Sequence, residues 1–147
     1  MNLRSGRTAM SRRPTMNGWF RATFDSAMAT ATGPTPERRA AAERAHILSQ
    51  PWPWRHTRTH GVMLRLAMRD RDLVEIAGQL VRLVVAAPGS LTGRYPDGNT
   101  GRARVGIRTP MPVPADIAAL LADAGVRLGP ADDDTPGRAT TTDRSGP

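Results

Sequence analysis

The chain reads as an all-α protein: a small antiparallel bundle of three to four helices, a short C-terminal helix, and disordered tails at both ends. Three observations predict this. Apolar residues recur at helical spacing in several stretches between residues 18 and 124. The connections between the first four stretches are short, which makes neighbouring helices antiparallel. Gly and Pro, 14 and 13 of 147 residues, exceed the ~12% of average proteins and concentrate outside those stretches, so much of the remaining chain is not packed.

Residues 1–17 form an Arg-rich N-terminus without the apolar run of a secretory signal, and are expected to be disordered. Met1, Met10 and Met16 are all candidate starts. Over 18–31, Phe20, Phe24, Ala27, Met28 and Ala31 share one helical face, and Gly33-Pro34 ends it. The second helix takes Thr35 as N-cap and Pro36 as first residue, and its Ala-rich body runs to Leu48 before Pro51 and Pro53 stop it. The third spans about Trp54 to Arg69, with Met63, Leu64, Leu66, Ala67 and Met68 apolar and Gly61 as a weak point. Asp70 caps the fourth, where Leu73, Ile76, Ala77, Leu80, Val84 and Ala87 make a stripe that Val81, Leu83 and Val85 widen. Such a helix is expected to be the most buried, ending at Pro88-Gly89. Residues 88–113 form a long irregular loop rich in Gly, Pro and Arg, of the kind that is functional or disordered. A last helix fits Ala115–Ala124, with Ile117, Leu120 and Leu121 inward and Gly125 beyond its end. The ordered part is then a single domain over 18–124, and 125–147 is a disordered tail.

Composition excludes whole classes of function. There is no Cys, hence no disulfide, thiolate site or iron–sulfur cluster. No uninterrupted run approaches the ~18 apolar residues of a membrane span. The net charge is +8, carried entirely by Arg, but it is spread along the chain rather than concentrated on one helix. Solvated surface Arg is therefore favoured over a nucleic-acid patch.

One constellation carries chemistry. All three histidines, His46, His56 and His60, fall within fifteen residues, and Glu43 lies three before His46. Residues three or four apart share a helix face. A hairpin turning at Pro51-Trp52-Pro53 would set Glu43 and His46 opposite His56 and His60. Neutral imidazole is the commonest metal ligand, and three His with one carboxylate suit zinc, iron, copper or nickel. Gln50 and Gln79 are candidate partners that orient those ligands. The competing reading is a structural polar cluster, with Glu43 paired to Arg39 or Arg44 and His60 in the core. Trp52 and Trp54 read as lids on the core rather than as stacking platforms. Asp97-Gly98-Asn99-Thr100-Gly101 reads as a turn, since it lacks the Gly-Lys-Ser/Thr ending of a phosphate loop. Arg94, Arg102 and Arg104 beside it are candidate anion or partner contacts. No nucleophile–base–acid set can be assembled; Ser49 near His46 or His56 comes nearest.

Glu43-Arg44-Ala45-His46-Ile47-Leu48-Ser49-Gln50, His56-x3-His60 with Met63-Leu64, Gly78-Gln79-Leu80-Val81-Arg82, Gly98-Asn99-Thr100-Gly101 and Met111-Pro112-Val113-Pro114 follow in that order. Together they resemble the bacterial domain of unknown function 3703 family, over about residues 36–121. The resemblance implies a bacterial cytoplasmic protein and assigns no activity. Residues and resemblance together lead to the expectation of a non-enzymatic protein holding one divalent transition metal. The alternative is an interaction module that meets nucleic acid or an acidic protein through its Arg-rich segments. A third reading is an enzyme using the same metal with an open coordination position.

Overall fold

The computed structural model describes residues 17–33 and 37–128. It contains five helices and, among the described residues, no strand: α1 (Gly18–Thr32), α2 (Arg38–Ser49), α3 (Pro53–Arg69), α4 (Leu73–Leu91) and α5 (Ala115–Asp123). The expected disordered tails fall largely on residues outside those described, as do Thr35 and Pro36. The first residue of α2 is Arg38, and its N-cap position is Glu37.

Each helix begins and ends for local reasons. Asn17 caps α1, its Oδ1 accepting from the Phe20 N–H at 2.7 Å. Pro53 occupies the first turn of α3, where a missing N–H costs nothing. Asp72, rather than the expected Asp70, caps α4 through the Glu75 N–H, and Asp70 ends α3. Beyond α5, Gly125 takes the left-handed conformation at φ +79°, as a helix-terminating glycine does.

The core is built where α1, α2, α3 and α5 meet. Phe20, Phe24, Ala27, Met28 and Ala31 of α1 pack with Ala42, Ala45 and Leu48 of α2, Val62, Met63 and Leu66 of α3, and Ile117 and Leu121 of α5. Trp52 covers this cluster, its ring 4.5 Å from that of Phe20, whereas Trp54 points into solvent. Successive contacts along α2 and α3 run in opposite directions: Ser49 meets Thr59, and His46 meets His60. The same holds for α3 and α4, where His56 meets Ser90 and His60 meets Gln79. These two antiparallel pairs place the ends of three helices around one point.

Helix α4 departs from expectation in two ways. It continues through Pro88 to Leu91. The hydrogen bond that Pro88 forfeits is the one to the carbonyl of Val84, one turn earlier. It also presents its polar face inward. Its buried residues are Glu75, Gln79, Arg82, Ala86 and Ser90, while Leu73, Val74, Leu80, Val81, Val84, Val85 and Leu91 are exposed. The expected burial of its apolar stripe is therefore corrected. The four polar inward residues hydrogen-bond to the site and to the loop, and this fixes the rotation of the helix. By length and composition α4 is also apolar enough to cross a membrane, although it contains Glu75 and Arg82.

Candidate functional site

His46 near the end of α2 and His56 and His60 one turn apart on α3 point at one another. The three Nε2 atoms are separated by 2.9 Å (His46–His56), 3.2 Å (His46–His60) and 3.2 Å (His56–His60). All three rings are buried.

Their outer nitrogens decide their protonation. His46 Nδ1 lies 2.8 Å from the Asn99 carbonyl oxygen, which can only accept. His60 Nδ1 lies 2.7 Å from Gln79 Oε1. That amide is oriented by its Nε2, which donates to Glu75 Oε1 and to the Gly101 carbonyl, each at 2.8 Å. His56 Nδ1 lies 2.8 Å from Ser90 Oγ, whose proton is given to the Gln50 carbonyl. Every Nδ1 thus faces an acceptor and must carry the hydrogen. In the neutral rings, every Nε2 is then a bare lone pair. Three lone pairs meet within hydrogen-bonding distance with no proton to share, an arrangement that a cation at their centre would relieve.

The spacing fits one. A point about 1.0 Å above the plane of the three nitrogens lies ~2.05 Å from each, the bond length of a zinc–imidazole contact. The angles subtended there are about 90° to 103°, close to one face of an octahedron and a little inside tetrahedral values. The buried His46, His56 and His60 cluster could therefore hold a metal ion.

Burial keeps the rings neutral. It lowers the pKa of His56 to about 3, with the neighbouring His60 adding to the fall, and that of His60 to about 4 against the upward pull of its bond to Gln79. His46 falls well below 6.5 through burial and through the charges His60 and His56 would carry. An unfolded chain binds protons on these groups near pH 6.5, which the folded chain refuses until pH 3 to 4. Stability of the metal-free protein is accordingly flat above pH 6.5 and falls as pH drops below it. Urea unfolding of metal-free protein at pH 5.5 is expected to give on the order of 3–4 kcal/mol less stability than at pH 7.5. A chain lacking all three histidines is expected to lose most of that dependence.

The loop between α4 and α5 closes the site from the α2 side. Asn99 is its pivot: Nδ2 donates to the carbonyls of Gly106 and Thr109, and Oδ1 accepts from the Gly101 N–H. Gly98 and Gly101 have φ of +69° and +76°. A Cβ on Gly101 would lie 2.7 Å from Cδ2 and Nε2 of His46. The Asp97–Gly101 segment is thus a turn packed on the His46 ring. Gly78 on α4 serves a similar end, since a Cβ there would lie 2.3 Å from that of Ala103.

The structure brings together His46, His56 and His60, with Gln79 holding His60. It does not bring in Glu43. That carboxylate pairs with Arg102 at 3.0 Å. Although i and i+3 share a helix face, the two positions differ by about 60° in direction, enough to aim Glu43 at the loop rather than at the cluster. The Gln50 side chain also misses the rings and donates to the Pro96 carbonyl; its contribution is its backbone oxygen, which receives Ser90. Arg102 reaches Glu43 and Glu75, and Arg104 reaches Asp72, so both charges are met by acids of the same chain. Arg94 instead lines a cleft of about 330 Å³ that opens over the three histidines. Arg82, Arg108 and Tyr95 line it too, between walls that include Val85, Pro88 and Ile107. Arg82 is buried, and its Nη2 donates to the carbonyls of Arg102 and Val105. Sequence reasoning missed Ser90 altogether and read Asn99 only as part of a turn. Periodicity would have found Ser90, since Glu75, Gln79, Arg82, Ala86 and Ser90 repeat at helical spacing.

A family model described as Protein of unknown function (DUF3703) matches residues 15–121. The chain belongs to the DUF3703 family. No curated protein and no solved structure matches it. In this DUF3703 protein the family match spans all three histidines, their partners Gln79, Ser90 and Asn99, and the loop that covers them.

Proposed function

We propose that this DUF3703 protein binds one divalent transition metal ion through Nε2 of His46, His56 and His60. The observation that carries the reading is the commitment of all three Nδ1 atoms to acceptors, which leaves three lone pairs aimed at one point. Imidazole ligation suits zinc, iron, copper or nickel. Three protein ligands leave coordination positions open, as in catalytic rather than structural sites. Those positions face the cleft. With a divalent ion beside Arg82, Arg94 and Arg108, the cleft is strongly positive, so its occupant is water or a small anionic ligand. A metal-dependent reaction on such an anion is the second reading, favoured by that same cleft. The nucleic-acid reading loses support because Arg102 and Arg104 are already paired.

The test is metal content of the untagged protein by mass spectrometry, followed by titration of the stripped protein with Zn²⁺ and Co²⁺. One ion per chain is expected, lost in His46→Ala and retained in Glu43→Ala. No metal retained and none taken up, or uptake indifferent to His46→Ala, would overturn the proposal.

A further inference from the structure

Helix α4 has two faces of opposite character. Its inward face supports the histidines. Its outward face carries Leu73, Val74, Ala77, Leu80, Val81, Val84, Val85, Pro88 and Leu91, all exposed and all apolar. The spacing alternates between three and four residues, which is the seam of a helix that packs on another helix. No charged side chain interrupts it, because the two charged residues within the helix, Glu75 and Arg82, are turned inward and buried.

The exposed fractions of the seven large residues amount to on the order of 700 Å² of apolar surface per chain, beyond the ~300–600 Å² of the largest patch on an ordinary monomer. That is close to the ~800 Å² each partner contributes to a standard-size interface. The seam rises about 27 Å along the axis, room for five turns of a facing helix.

From this area and pattern we infer that the outward face of α4 is where two copies of this chain associate. The self-complementary seam is what a two-fold contact needs, since both copies bring the same stripe. A lipid surface fits less well. Helices that lie on membranes keep a Lys/Arg-rich face in water. The polar face of α4 is instead consumed inside the protein, and its one Arg holds loop carbonyls. Val85 and Pro88 belong both to the seam and to the wall of the cleft. A second copy therefore runs along the rim of the cleft and borders the entrance to the histidines. The association does not depend on metal.

Sedimentation velocity of the full chain, from about 1 to 100 μM, tests this. The wild type is expected at twice the 15.9 kDa chain mass. Val84→Gln is expected to raise the dissociation constant at least about tenfold, and Leu80→Glu/Val84→Glu to give a monomer of unchanged helicity. Should the double variant fail to fold, the Val84→Gln shift decides alone. A wild-type monomer at the highest concentration would overturn the inference. So would a dimer indifferent to Val84→Gln, or a monomer that floats with phosphatidylcholine–phosphatidylglycerol vesicles.

Discussion

Gly101→Ala is expected to destabilise the protein by about 2–6 kcal/mol and to dismantle the histidine cluster. Two costs combine. A side chain at φ +76° is strained by about 1–3 kcal/mol. The added methyl also meets the His46 ring at 2.7 Å, and overpacking of a filled interior costs a further ~1–3 kcal/mol. The ring cannot retreat without breaking its bond to the Asn99 carbonyl, so relief of the clash removes His46 from the other two. Urea unfolding reads the stability, and Co²⁺ titration reads the site. Gly61→Ala is the matched control. Gly61 lies in the middle of α3 with open space around a Cβ, and the same change there is expected to gain roughly 0.5–1 kcal/mol through helix propensity. Equal effects at the two positions would show that the loop does not hold the ring.

The second large effect is stabilisation by metal. A ligand that binds only the folded chain adds about 3–4 kcal/mol at 100 to 1,000 times its dissociation constant. For a domain of this size that raises the melting temperature on the order of 15 °C. Part of the gain is local, because a cation replaces the mutual repulsion of three lone pairs. His56→Ala/His60→Ala is expected to abolish the shift altogether while leaving Gln79 and Ser90 with one fewer partner each. Thermal melts with and without Zn²⁺ check this, and an undiminished shift in the double variant would place the ion elsewhere.

Local signals made most of the helices legible. The five apolar residues of α1 recur on one face and are the ones the core buries. Ile117 and Leu121 of α5 behave alike, and Gly125 stops that helix as expected. Helix α4 was legible as an element but not in its orientation. Periodicity identifies a face without saying which way it turns, and here an apolar stripe and a polar stripe compete. Tertiary hydrogen bonds decide the matter, Glu75 accepting from the Ala103 N–H while Gln79 and Arg82 donate to the carbonyls of Gly101 and Arg102, and no local pattern contains them. The histidines were legible for the converse reason: i, i+4 spacing and a tight Pro-Trp-Pro turn largely determine where they lie. Glu43 was misplaced because its partner, Arg102, is 59 residues away. Asn99 was read only as part of a turn for the same reason, since its carbonyl meets His46 across 53 residues.

The proposed ligand set is nitrogen alone, in a chain without a single cysteine. Thiolate sites are lost when peroxide or disulfide exchange consumes their sulfur, and they favour soft ions such as copper(I). Imidazoles held at Nδ1 by a carbonyl, an amide and a hydroxyl share neither weakness. The ligands of such a centre would therefore survive whatever the redox poise of its surroundings. Acid is what competes for it, because a proton and a metal ion seek the same three lone pairs.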